Sequence, residues 1–211
     1  MTEKCSRCRA RPLLSPMIRV IGVLWLTGCG GCVTPPQDVS VGLALKGSGD
    51  LPPRLSKDGH ELTLSRLQLT GTIELDGKQF AVLTGADVPL DRAWTVLAER
   101  PLARGSYDGV KLDLTGLALD GRYDGKDFHI VASRPRRREL QLAKQWQVEL
   151  GKPSALSFLA DPKQWMTSNE GSGNEGILDP EEEKTAEGLM DRFVDSIAAA
   201  RDDDHDGVED K

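Results

Sequence analysis

Three groups of side chains carry residue types and spacings that could do chemistry. Cys5-x2-Cys8 and Cys29-x2-Cys32 repeat one short spacing across a twenty-residue spacer. Four thiolates at such spacing can close a tetrahedral zinc site. Near the other end, Asp202, Asp204 and Asp206 alternate with other residues, Gly207 follows, and Val208 and Asp210 come next. Carboxylates at loop positions 1, 3 and 5 converge on one point when a glycine permits the sharp turn. Calcium, which takes six to eight oxygens, is the cation that suits them. Val208 would add a backbone carbonyl and Asp210 a carboxylate, directly or through water. The third group, Arg134, Arg136, Arg137 and Arg138 in "SRPRRREL", could attract an anionic partner such as a lipid head group or another protein's acidic face. The competing reading is a solvated turn whose charges protect a strand edge from aggregation. His60, His129 and His205 are the only histidines. Neither Gly-x-Ser-x-Gly nor His-Glu-x-x-His occurs, so no catalytic residue can be nominated and the chain reads as non-enzymatic.

The segment between the cysteine pairs decides against zinc. A ribbon places a polar hairpin there, whereas Val20, Ile21, Val23, Leu24, Trp25 and Leu26 form an apolar run. Basic residues precede it and small ones follow, which is the order of an export signal. It is shorter than the roughly 20 apolar residues of a membrane span. Leu26-Thr27-Gly28-Cys29 resembles the lipobox of bacterial lipoproteins. The resemblance implies cleavage between Gly28 and Cys29, with palmitate-type acyl chains on Cys29. Gly30 after the cysteine, where aspartate would imply inner-membrane retention, implies the outer membrane. Met17 is a second possible start, giving the compact signal "MIRVIGVLWLTG". Residues 1–28 are thus read as signal peptide and 29–38 as a lipidated tether.

The elements that position the remaining candidates follow from periodicity. The chain has 211 residues and a formal net charge of −6. Residues 161–211 hold sixteen acids and five bases, which makes nucleic acid an improbable partner for that segment. Between Val39 and Leu159, seven or eight stretches alternate apolar and polar residues, as in "VSVGLAL" and "VKLDL". Asp76-Gly77, Asp108-Gly109, Asp120-Gly121 and Asp124-Gly125 supply tight-turn signals between them. With no helical crossovers, this predicts a mainly β chain with an antiparallel sandwich over 39–160. The order "DGHELTLSRLQLTGTIEL", "ARGSYDGVKLDLTGLAL", "LSFLADPKQWM" resembles exported lipoproteins with a transthyretin-like sandwich, which implies an Ig-like layered fold in the envelope.

In the acidic segment 161–211, Asp179 and Pro180 are suited to open a helix. Leu189, Met190, Phe193, Val194 and Ile197 recur at spacings of three and four, predicting one helix over about 180–201 that packs on the sandwich. The acidic loop 202–210 resembles the first nine positions of an EF-hand loop and the D-x-D-x-D-G-x-x-D loops of thrombospondin type 3 repeats. It lacks a glutamate at position 12, so weak calcium binding is the expectation. The sequence as a whole reads as an outer-membrane-anchored binding or scaffold module with a weak structural calcium site. The alternative is a periplasmic lipoprotein binding a transition metal or small ligand, for which a site shared by His60 and His129 would speak.

Overall fold

Alternation of apolar and polar residues governs the architecture, and two strands carry most of it. A computed structural model describes residues 36–46, 51–149, 151–152, 154–169, 175–181 and 185–202. In chain order the strands are β1 (Gln37–Leu45), β2 (Arg54–Lys57), β3 (His60–Leu75), β4 (Lys78–Pro89), β5 (Trp94–Leu102), β6 (Gly105–Tyr123), β7 (Lys126–Ala132), β8 (Arg136–Val148) and β9 (Ala155–Ala160). Helix α1 (Pro162–Met166), strands β10 (Thr167–Asn169) and β11 (Glu175–Ile177), helix α2 (Thr185–Ser196) and strand β12 (Ala198–Arg201) follow. The chain is mainly β, with two principal sheets.

Strands β3 and β6 run antiparallel through the middle of the larger sheet. Each is long enough to pair with two shorter strands on its outer side. Along β3 these are β2 and then β4; along β6 they are β8 and then β7. The second sheet has the order β12-β9-β1-β5. Its β1–β9 pair is parallel, so the architecture is mixed rather than purely antiparallel. Strand β9 sits between β1 and β12, and all six of its residues are buried. The inward residues of both sheets form one core, with Leu64, Leu67, Leu69, Ile73, Leu112, Trp146 and Phe158 among its buried members.

Three hairpins are closed by Asp-Gly pairs in which both residues have positive φ: Asp58-Gly59, Asp76-Gly77 and Asp124-Gly125. Positive φ at both central positions is the geometry whose twist matches the flanking strands, and aspartate followed by glycine tolerates it best. The other two expected turns prove to be strand. Asp108-Gly109 and Asp120-Gly121 both lie within β6. Gly109 follows a register shift, and a Cβ on Gly121 would come within 2.4 Å of the Thr63 carbonyl oxygen. There glycine serves close strand approach rather than reversal.

The C-terminal segment also departs from expectation. The helix covers Thr185–Ser196, and Ala198–Arg201 leave it to pair antiparallel with β9. Alanine favours helix intrinsically, but the gain from completing a sheet edge and burying Ala200 outweighs a propensity worth tenths of a kcal/mol. The apolar stripe packs as expected: Leu189, Met190, Phe193, Val194 and Ile197 are all buried in the main core. Asp179 caps a turn at Glu181 and accepts on its backbone carbonyl from the Thr185 hydroxyl. The short α1 was not foreseen. Asp161 caps it through the Lys163 amide, and Trp165 meets Phe193 edge-on at 5.3 Å. Among the described residues of the acidic segment, α2 packs into the main core and β12 pairs with β9.

Candidate functional site

Strand β7 ends at Ala132 opposite Leu117, and β8 begins at Arg136 opposite Leu114. The two are collinear pieces of one edge, broken at Ser133-Arg134-Pro135, where Pro135 has no N–H to give to a ladder. The basic cluster straddles this break. Arg134 and Arg136 both reach Asp191 of α2, Arg134 at 3.6 Å. Arg138 donates to the Val194 carbonyl at 2.5 Å and lies 3.9 Å from Asp195. Arg137 points the other way, to Asp113 at 3.6 Å and Glu74 at 3.8 Å. All four arginines therefore have partners within the chain.

This arrangement has an electrostatic cause. The last turn of α2 contains no basic residue, so its carbonyls and negative dipole end need a cation from elsewhere. Strand β8 provides it in Arg138. The Arg136 guanidinium beside Asp191 holds that carboxyl below its usual range, against the opposing effect of partial burial. The sequence signal, a run of arginines, was legible; its acidic partner fifty-odd residues later was not.

Of the acidic loop, only Asp202 falls among the described residues. It is fully buried, and its Oδ2 accepts from the Ser157 hydroxyl at 2.6 Å. Ser157 in turn accepts from Trp94 Nε1 at 2.6 Å. The indole lies on the outer face of the second sheet over Gly42, where a Cβ would meet the ring at 2.3 Å. Trp94, Ser157 and Asp202 thus form a chain of hydrogen bonds linking β5, β9 and the end of β12. Sequence reasoning missed it, since nothing in "LSFLA" marks its serine. Asp204, Asp206, Val208 and Asp210 lie outside the described residues, as do Gly28, Cys29, both cysteine pairs and His205.

His60 and His129 are not brought together. His60 shares the core-side parity of Leu62 and Leu64, at the open end of the sheet, and stacks on Tyr123 at 5.6 Å. Its Nδ1 is 2.7 Å from Asp124 Oδ2, while Asp124 Oδ1 accepts from the Glu61 amide. The Asp124 carboxylate raises the imidazole's pKa above 6.5, and the imidazole lowers that of the carboxyl. His129 faces the opposite side of the sheet with Val131, its Nδ1 2.5 Å from Asp120 Oδ1. Among the described residues, no group of three or more His, Cys, Asp or Glu side chains could hold a metal ion.

The remaining charged groups form cross-strand pairs. Lys111 lies between Glu74 at 3.4 Å and Glu139 at 3.2 Å, one residue on each of three neighbouring strands. Such pairs stabilise register and need no ligand to explain them. Trp146 and Trp165 are core residues, with Trp146 against Tyr107 at 5.9 Å. No protein-family model, curated protein or solved structure matches this chain.

Proposed function

We propose that the chain is a lipid-anchored, non-enzymatic binding or scaffold module of the bacterial outer membrane. The observation that carries this reading is Leu26-Thr27-Gly28-Cys29 at the end of a short apolar segment, eight residues before the first strand begins at Gln37. Three acyl chains on one cysteine would hold the domain firmly, since each buried methylene contributes about 0.8 kcal/mol. The sandwich is of a transthyretin- or Ig-like kind. Tyr107 supports that assignment: its hydroxyl donates to the Ala103 carbonyl four residues upstream, as in the tyrosine corner of Ig-like domains.

The same reading gives the acidic loop a weak calcium site formed by Asp202, Asp204, Asp206, Val208 and Asp210. One oxygen of Asp202 is committed to Ser157, so the ion would order a loop already fastened at its first residue. The anchor is tested by metabolic labelling with an alkyne fatty acid. Label should enter the wild-type chain and be absent from Cys29→Ala. Label retained in Cys29→Ala would defeat the reading.

A further inference from the structure

Strands β4 and β5 are edges of different sheets. Among the described residues, β4 pairs only with β3, and β5 only with β1. They leave the corner at Leu90–Ala93 side by side but share no ladder, and the seam between them opens toward Lys78 on one strand and Leu102 on the other. At that open end lies a cleft of about 700 Å³. This is within the roughly 300–1,000 Å³ typical of small-molecule sites. Phe80, Val82, Leu102 and Tyr107 give it apolar walls. Val82 is 58% exposed, as is Val131 on β7. The Tyr107 hydroxyl is engaged by Ala103, so the ring faces the cleft as apolar surface.

Two cations stand in the lining, Lys78 and Arg100. Neither forms an ion pair among the described residues, on a domain where most other arginines are paired. The one acid of the lining, Asp76, accepts from the Gly109 amide. An apolar cleft whose lining holds two cations and one carboxylate, a net positive charge, complements a molecule with a hydrocarbon body and an anionic head. The position agrees with this: Leu102 pairs with Gln37, the first residue of β1, which begins inside the stretch 29–38 expected to be tether. Seven residues lie between Cys29 and Gln37, so the two are at most about 28 Å apart along the chain.

We propose that this cleft binds a long-chain fatty acid, its chain against Phe80, Val82, Leu102 and Tyr107 and its carboxylate between Lys78 and Arg100. Desolvating the chain drives binding, and the cations choose the head group. The proposal adds a ligand site to the anchored module, and its test reads out whether or not Cys29 is acylated.

The full chain in nanodiscs is exposed to a photoreactive C16 fatty acid, irradiated, digested and mapped by mass spectrometry. Crosslinks should concentrate on the peptides carrying Phe80–Val82 and Arg100–Ala103. They should fall about tenfold in Lys78→Glu/Arg100→Glu, the size of effect expected if each charge contributes under 1 kcal/mol. The methyl ester of the same probe should label as weakly as that variant does with the acid. Val82→Trp, at an exposed position, should obstruct the apolar wall and reduce the labelling while leaving the thermal unfolding midpoint unchanged. Crosslinks spread evenly over the surface, or equal labelling by acid and ester, would overturn the proposal. So would displacement of the probe by an extended peptide but not by unlabelled palmitate, which would make the seam a site of strand addition.

Discussion

At the scale of single residues, the histidine and serine hydrogen bonds make the sharpest statements. Asp124 raises the pKa of His60 and is itself lowered, so both members are charged only between those two limits. The histidine's contribution is complete below its unfolded value of 6.5 and is lost as pH rises through the raised folded value. The aspartate's contribution is present above 3.8 and is lost as pH falls through its lowered value. Asp124→Asn should bring the His60 titration midpoint back toward 6.5 when followed by NMR. A midpoint that does not move would mean the contact is not formed in solution. Ser157→Ala should cost about 1–3 kcal/mol in urea unfolding, because it removes a buried hydroxyl that serves an indole and a carboxylate at once. A cost indistinguishable from zero would remove the Trp94–Ser157–Asp202 chain from the account. The histidines were visible in the sequence, but their partners were not. Asp124 was legible as a turn residue, and only the fold of β3 onto β6 shows that the same side chain also receives His60.

Among elements, the docking of α2 is the most informative. Its apolar stripe was readable from spacing alone, and all five stripe residues are buried. Its ends were not, because Ala198–Arg201 continue a helical composition while their backbone joins β9. Local sequence carries propensity; the vacancy beside β9 belongs to the rest of the molecule. The Asp-Gly pairs make the same point within strands: the dipeptide at 124–125 reverses the chain, whereas that at 120–121 admits a close neighbour. Two variants should rank the forces that hold α2. Phe193→Ala, which removes the ring packed on Trp165, should destabilise by about 3–5 kcal/mol. Asp191→Asn, which frees Arg134 and Arg136, should cost about 1 kcal/mol or less and nothing further at high salt. The reverse order, measured by urea unfolding, would mean that charge rather than packing seats the helix.

For the molecule as a whole, the two-sheet, mainly β architecture was legible from alternation and turn signals. The parallel β1–β9 pair was not, since it joins segments more than a hundred residues apart with no local signature. The function proposed rests on features at both ends of the chain. Titrating the full chain with calcium beside Asp204→Asn/Asp206→Asn should give heat only for the wild type. The dissociation constant should lie near the 10⁻⁴–10⁻³ M of extracellular modules, about the weakest class of such sites. Equal heats would reduce the loop to an acidic tail. Anchorage through Cys29 is decided by the intact mass of the protein recovered from outer membranes. The expected mass is that of a chain beginning at Cys29 with a diacylglyceryl group and an N-acyl chain. A chain that still begins upstream of Cys29, unacylated and holding zinc through its four thiolates, would contradict it.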